Sequence, residues 1–101
     1  MTRWIAIFED NGPEVSVPVR AAHLDDHLKF LEANKAKVVL AGALREDVEA
    51  PATAGLWVFE ADSKDEVKAI IEADPFFKQG LRKSIKIMQW GKAPFYGDVT
   101  L

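Results

Sequence analysis

The order of local sequence patterns predicts an α+β fold, in which a four-stranded antiparallel sheet carries two helices on one face. Short runs of β-branched and aromatic residues indicate four strands, and two longer segments have the apolar period of helices. The resulting order, βαββαβ, is that of the ferredoxin-like fold. A chain of 101 residues has room for one such domain.

The four predicted strands are rich in β-branched, aromatic and other apolar residues, and turn residues separate them. They are RWIAIFE (3–9), KVVLAGAL (37–44), GLWVFEA (55–61) and SIKIMQW (84–90). A cluster of turn residues ends the first strand, and a polar loop with Pro51 separates the second from the third.

The first helix is predicted over residues 19–34, because Leu24, Leu28 and Leu31 recur at i, i+4 and i+7. This leucine stripe is expected to face the core. Residues 14–18 are expected to form a loop, since the proline at its end favours an extended conformation for the residue before it.

The second helix is predicted to begin after Ser63, which forms the pattern of a capping box with Glu66. It is expected to end near Ala73. Asp74 and the proline after it then have the order of an N-cap and a first helical residue, so a short helical turn is expected there, closing at Gly80.

Both faces of the predicted sheet are apolar. In the first strand Ile5 and Ile7 point away from Trp4, and the later strands show the same two apolar sets. An antiparallel sheet with one face in water alternates apolar and polar residues instead. We therefore expect a homodimer that packs sheet to sheet. The domain is expected to span residues 1–91, with the tail 92–101 at the dimer interface.

The composition excludes several classes of protein. The 13 basic residues are interleaved with 16 acidic ones, so no cationic surface for nucleic acid is expected. The absence of cysteine excludes disulfides, thiolate catalysis and sulfur-ligated metals. The apolar run near the N-terminus stops at Glu9, too early for a signal peptide or a membrane span. We expect a cytoplasmic protein without a membrane partner.

Both histidines, His23 and His27, lie on the first predicted helix and are four residues apart. Two imidazoles on one helix face suit a metal site, but two ligands are too few, and the sequence has no third histidine and no cysteine. We therefore expect neither a metal nor another cofactor.

The leucine stripe distinguishes the two histidines. His27 falls about 65° from the centre of the stripe and His23 about 105° from it. His27 is interpreted as a packing residue at the edge of the stripe. His23 is interpreted as a general base, because it lies in the first turn of the predicted helix, where the helix dipole favours a neutral imidazole.

Two further residues are candidates for the site. Asp74 is first of all an N-cap, but one carboxylate oxygen can accept from an amide while the other orients an imidazole. Arg20 is the cation on the first turn of the same predicted helix as the histidines, and it is expected either to bind an anionic substrate or to be solvated.

Three short motifs resemble those of the YCII-related (YciI-like) family. They are R-x-x-H-L at 20–24, L-A-G-x-L at 40–44 and D-P-F-x-x-x-G at 74–80. The resemblance runs over residues 3–90 and implies a dimeric α+β barrel of ferredoxin-like domains. It also implies an active-site His–Asp pair, here His23 and Asp74. The chemistry that it implies is proton transfer on small cyclic or aromatic compounds, such as dehydrochlorination of a chlorinated hydroquinone.

The sequence thus predicts a cofactor-independent enzyme that catalyses an elimination or an isomerisation. His23 is the predicted acid or base, Asp74 orients it, and Arg20 steers an anionic group. Phe76 and Trp57 are predicted to line an apolar cleft that binds the substrate. The alternatives are a non-catalytic module that binds a small molecule, and haem or oxygen chemistry with one histidine as axial ligand.

Overall fold

The computed structural model describes residues 2–99 and confirms the predicted order of elements. The elements are β1 (Thr2–Asp10), α1 (Pro13–Ala33), β2 (Val38–Arg45), β3 (Ala52–Ala61), α2 (Lys64–Glu72), α3 (Pro75–Lys78) and β4 (Arg82–Gln89). Residue 1 of the predicted domain and residues 100 and 101 of the predicted tail lie outside the described residues.

The four strands form one antiparallel sheet in the order β2-β3-β1-β4, so the ferredoxin-like prediction is confirmed. β1 lies inside the sheet, with Phe8 opposite Gly55 of β3 and Ile85 of β4. The β1–β4 register shifts next to Asp10, and this irregularity brings Asp10 opposite Arg82. Two charged residues are thereby paired at one end of the sheet.

The two faces of the sheet are both apolar, as the alternation in the strands predicts. One face meets the helices and forms the buried core, which includes Ala6, Phe8, Val38, Trp57, Phe59, Ala61, Val67 and Ile71. The opposite face, which we call the outer face, carries the alternate apolar side chains of the four strands. These are Ile5, Ile7, Leu40, Leu44, Leu56, Val58 and Met88.

α1 begins earlier than predicted, so the expected loop over 14–18 is wrong. A proline at the first helical position loses nothing, because that N–H has no partner inside the helix. Pro18 lies within α1 and removes the bond to the Glu14 carbonyl, near the start of a helix of 21 residues. None of the helices among residues 2–99 is long and apolar enough to cross a membrane.

The predicted orientation of α1 is also wrong. Leu24 and Leu28 are 46% and 52% exposed, whereas His27 is 7% exposed. At 100° per residue the buried face is centred near His27, about 65° from the centre of the leucine stripe. The reason is electrostatic: this face meets the buried carboxylates of Asp10 and Asp74, which need polar partners that leucine cannot supply.

The start of α2 has half of the predicted capping box. The Ser63 hydroxyl accepts from the Glu66 N–H at 3.1 Å, as expected. The Glu66 carboxylate accepts from the N–H of Asp62 at 3.2 Å, one residue before the predicted partner. The cap nevertheless fixes the first turn of the helix.

α3 is a single turn that is capped at both ends, by Asp74 at its start and by the backbone around Gly80 at its end. It closes at Gly80, as predicted, where φ is 78° and a side chain would be strained. The N–H groups of Gly80 and Leu81 donate to the carbonyls of Phe77 and Phe76, each at 3.1 Å, which is a Schellman closure. This closure fixes the positions of Asp74 and Phe76 relative to the sheet.

Candidate functional site

The candidate functional residues meet at the end of the sheet where β1 ends and β4 begins. Asp10 is the last residue of β1 and Arg82 is the first of β4. Arg20 and His27 project from the buried face of α1, and Asp74 caps α3. Four separate elements therefore contribute to one group of charged side chains.

The structure corrects the predicted histidine–aspartate pair. The imidazole that contacts Asp74 belongs to His27, with 2.7 Å between Nδ1 and Oδ1. Both side chains are buried, at 9% and 1% exposure. Oδ1 also accepts from the N–H of Phe76 at 3.3 Å, so the predicted cap is confirmed and a single oxygen serves both the cap and the imidazole.

His23, the predicted base, has a different environment. It is half-buried on α1, one turn closer to the N-terminus than His27. No hydrogen bond joins it to Asp74 or to any other side chain within residues 2–99. The predicted contact between His23 and Asp74 is therefore wrong, because the buried face of α1 is centred on His27 instead of on the leucines.

The two predicted aromatic residues, Phe76 and Trp57, pack against the imidazole of His27 from inside the core. The Phe76 ring is stacked on the imidazole with centroids 4.0 Å apart and an angle of 14°. The Trp57 ring is 5.8 Å from the imidazole. Each side chain is 1% exposed, so both rings hold the imidazole in place instead of lining an open cleft. Contact of either ring with a substrate stays a prediction.

The Nε2 atom of His27 is the chemically free end of the pair. It has no hydrogen-bond partner within residues 2–99, and it is not one of the fully buried unpaired atoms there, which are Arg82 Nε and Trp90 Nε1. It is therefore not completely buried. With Asp74 ionised, Nδ1 is the donor to the carboxylate, which leaves the lone pair of Nε2 available to accept a proton.

Asp10, Arg20 and Arg82 form a second group, which we call the arginine–aspartate cluster. Arg20 donates to Oδ2 of Asp10 from Nε at 3.0 Å and from a terminal nitrogen at 2.8 Å. Arg82 donates to the other oxygen, Oδ1, at 3.0 Å. One buried carboxylate thus bridges two guanidinium groups. Arg20 was expected either to bind an anionic substrate or to be solvated. In the structure it is paired with Asp10.

Phe76 links this cluster to the histidine pair. The guanidinium carbons of Arg20 and Arg82 lie 5.5 Å and 5.8 Å from the centre of its ring. Cations at these distances are attracted by the ring electrons. The same ring is stacked on His27, so one side chain packs against both groups.

Arg82 is the most buried cation of the site, with 4% of its side chain exposed. Burial lowers the pKa of this guanidinium, and the neighbouring Asp10 carboxylate opposes that effect. The group stays charged, since the ordinary pKa of arginine lies far above neutral pH. Its guanidinium lies 4.3 Å from the centre of the Phe8 ring.

A cavity of about 360 Å³ opens beside the arginine–aspartate cluster. Its wall combines the charged groups with small and apolar residues of α1 and the start of β3. They are Asp10, Asn11, Gly12, Pro13, Ser16, Val17, Arg20, Pro51, Ala52 and Thr53. Within this wall Arg20 is the cation, and 22% of its side chain is exposed. A small molecule in the cavity would meet that charge, whereas His27 and Asp74 are not among the residues that line the cavity.

A larger groove, of about 590 Å³, lies between α2 and the edge strand β4. Its floor is apolar, with Ile71, Phe77 and Ile85, and lysines stand at its rim. None of the predicted site residues lines it. Within residues 2–99 no three His, Cys, Asp or Glu side chains are grouped so that they could hold a metal ion.

Sequence reasoning missed His27, Asp10 and Arg82, although signals for two of them are present. Alternation in β1 places Asp10 on the core side with Phe8, and an aspartate at such a position needs a buried partner. On α1 a polar stripe through Arg20 and His27 competes with the leucine stripe. The partnership with Arg82 depends on the register shift, which the sequence does not reveal.

Comparison with solved structures shows a similarity that extends over nearly the whole chain. The similarity is to the 5-chloro-2-hydroxyhydroquinone dehydrochlorinase of Burkholderia phenoliruptrix, in complex with 2,5-dihydroxybenzoquinone. The two chains are 28% identical with a TM-score of 0.81, and the match covers 92% of this chain and 97% of that one. No curated protein matches the chain.

More distant solved structures share the fold. A NIPSNAP domain protein from Burkholderia xenovorans is 14% identical with a TM-score of 0.51, over 94% of this chain and 97% of that one. An antibiotic biosynthesis monooxygenase is 12% identical with a TM-score of 0.52, over 93% and 100%. At such identities the likeness concerns the fold alone.

The family model of the YCII-related domain matches residues 3–91, which is nearly the whole of the described chain. This range agrees with the resemblance of the three sequence motifs over residues 3–90. It also contains every residue of the histidine pair and of the arginine–aspartate cluster. The protein therefore belongs to the YCII-related domain family.

Proposed function

We propose that the protein is a cofactor-independent enzyme that transfers a proton on a small cyclic or aromatic compound. The observation that carries the proposal is the buried contact of 2.7 Å between His27 and Asp74. A carboxylate bonded to one ring nitrogen orients the imidazole and stabilises its charge when the other nitrogen takes up a proton. His27 thus takes the role that the sequence had assigned to His23.

The reaction begins at Nε2 of His27, which accepts a proton from an acidic O–H or C–H of the substrate. The electron pair left behind forms a new double bond. In an elimination, the keto tautomer of the substrate carries chlorine on a saturated carbon, the electron pair expels chloride from that carbon, and the imidazolium then releases its proton to water. In an isomerisation, the imidazolium returns the proton to another carbon of the substrate. Asp74 holds the imidazolium in place between the two steps.

The substrate is proposed to carry negative charge or to acquire it during the reaction. Arg20 lines the cavity and presents a partly exposed guanidinium there. Such a group stabilises an enolate or phenolate oxygen through charge-assisted hydrogen bonds. The 5-chloro-2-hydroxyhydroquinone dehydrochlorinase that is 28% identical to this chain supports an acidic ring compound as the substrate.

The proposal is tested by replacing each histidine separately. Wild type is assayed for chloride release from 5-chloro-2-hydroxyhydroquinone and for isomerisation of unsaturated lactones. His27→Gln is expected to lower kcat by at least about 100-fold, the range that one general base contributes. His23→Gln, one turn away on the same helix, is the matched control and is expected to retain activity within about threefold. A wild type inert toward the whole panel, or a fully active His27→Gln, contradicts the proposal.

We further propose that the protein acts as a homodimer joined through the outer face of the sheet. On that face Leu40, Leu44 and Met88 are 47%, 40% and 41% exposed, opposite the side of the sheet that meets the helices. Apolar side chains of neighbouring strands make a contiguous patch of the kind that marks an interface. The tail is proposed to contribute as well, since Phe95 and Tyr96 expose their rings.

A further inference from the structure

The arginine–aspartate cluster contains one carboxylate and two guanidinium groups, so it has one positive charge in excess. Asp10 accepts hydrogen bonds on both oxygens, from Arg20 on one and from Arg82 on the other. We propose that Arg82 determines the specificity of the cavity for anions. Its buried charge offsets Asp10 and leaves the charge of Arg20 available to a ligand. The inference rests on the proposed function, in which Arg20 contacts the negatively charged oxygen of the substrate.

The depth of the charges makes this offset effective. The side chains of Asp10 and Arg82 are 1% and 4% exposed, so water and salt screen their interaction weakly. Without Arg82, the two hydrogen bonds from Arg20 to Oδ2 of Asp10 would pair the charge of Arg20 with that of the carboxylate. A cavity lined by a neutral ion pair has no preference for an anion.

Arg82 acts through Asp10 and has no access to a ligand of its own. Its Nε is buried without a hydrogen-bond partner, and its guanidinium packs against the Phe8 ring. It does not line the cavity, whereas Arg20 and Asp10 do. Arg82 is thus a positioning residue, and Arg20 is the group that contacts the ligand.

Asp74 is the other carboxylate that acts electrostatically on Arg82. Its Oδ1 is already engaged by the imidazole of His27 and by the N–H of Phe76. It makes no hydrogen bond to Arg20 or Arg82 within the described residues, so its negative charge acts on the cluster equally in wild type and in the variants. Substitutions at Asp10 or Arg82 leave that part unchanged.

The ligand class that fits is a small ring compound with an ionised oxygen. The cavity of about 360 Å³ has space for one such ring, and Val17, Pro51 and Ala52 give it apolar surface. Ser16 lies in the same wall and has a hydroxyl that can donate a hydrogen bond. A phenolate or enolate oxygen would lie against Arg20.

The test measures how charge in the cluster changes affinity for an anionic and a neutral ring. The anionic probe is 2,5-dihydroxybenzoquinone, whose hydroxyl groups are ionised at neutral pH, and the neutral probe is hydroquinone. Arg82→Met is expected to weaken binding of the anionic probe about tenfold, and Asp10→Asn to strengthen it severalfold. Hydroquinone binding is expected to change less than about twofold in both variants.

Lys83→Met is the matched control, because it removes the same charge from the next residue of β4. Lys83 is 64% exposed, where solvent screens its charge, so no change in affinity is expected. Arg82→Lys keeps the charge and is expected to restore most of the affinity that Arg82→Met loses.

Opposite effects of the two substitutions are the decisive result, since a purely structural role would weaken binding in both. The proposal is overturned if Asp10→Asn and Arg82→Met both weaken binding, or if wild type binds no anionic probe at millimolar concentration. If Arg82→Met does not fold, the rise expected for Asp10→Asn and the retention expected for Arg82→Lys decide the question. Binding is measured without turnover, so an inactive His27→Gln that binds normally separates this result from the failure of the catalytic proposal.

Discussion

Asp74 does two things with one oxygen, and both depend on its burial. Oδ1 accepts the N–H of Phe76 to start α3 and contacts Nδ1 of His27. Losing the cap costs about 1 kcal/mol of stability, and leaving a buried imidazole without its partner costs about 1–3 kcal/mol more. The carboxylate is therefore expected to contribute to folding as well as to chemistry.

Asp74→Ala is predicted to lower the free energy of unfolding by about 2–4 kcal/mol, because the cap and the histidine contact are lost together. Ser63→Ala is the matched control, since Ser63 caps α2 through the same kind of bond, and its hydroxyl makes no hydrogen bond to a side chain within residues 2–99. It is predicted to cost about 1 kcal/mol. Urea denaturation measures both. Equal losses would show that the contact with His27 contributes nothing.

At this scale the sequence identifies residues better than partners. Asp74 is recognisable because an aspartate before a proline is an N-cap pattern, and the structure confirms that cap. Its imidazole partner depends on how α1 is rotated about its axis, and one turn separates the wrong histidine from the right one. Arg82 has no local signal, because its role arises from the register between two strands distant in the chain.

The element that sequence periodicity misjudged is α1. Its leucines form a regular stripe, yet the helix buries a polar stripe that includes Arg20 and His27. Periodicity reports where apolar residues cluster, and a helix normally turns that side inward. Here the carboxylates of Asp10 and Asp74 need buried donors, so the helix faces them with its polar side.

This orientation predicts unequal costs for two leucines on α1. Leu28→Ala is expected to change the free energy of unfolding by at most about 0.5 kcal/mol, because the side chain is half exposed. Leu31→Ala is expected to cost about 1–2 kcal/mol, since Leu31 packs against the buried core. Chemical denaturation of the two variants and of wild type, all at the same protein concentration, measures the difference. A larger loss for Leu28 would place the leucine stripe in the core after all.

For the whole molecule, element order and face alternation were sufficient to predict the fold. The four strands, α2 and the closure at Gly80 lie close to their predicted positions, whereas α1 begins six residues before its predicted start. Strand ends are less well predicted, since β3 begins three residues before the predicted start. Residues 52–54 do not have the run of β-branched and aromatic residues that marks a strand in the sequence. They join the sheet because they pair with β2.

The proposed dimer makes a prediction that involves the whole molecule. Leu40→Glu places a charge on the outer face and is expected to convert the dimer to monomer, because burying an unpaired charge in an interface is costly. Leu28→Glu is the control, with a similarly exposed leucine on the helical side. Analytical ultracentrifugation measures the mass of each. Two variants with the same mass as wild type would exclude the outer face as the interface.

NMR of the imidazole nitrogens distinguishes a pair of Asp74 with His27 from a pair of Asp74 with His23. In wild type we expect a protonated Nδ1 on His27 that is hydrogen-bonded to the carboxylate of Asp74. This signature is expected to persist in His23→Gln and to disappear in Asp74→Asn. A hydrogen-bonded Nδ1 proton that disappears in His23→Gln and remains in His27→Gln would contradict the account.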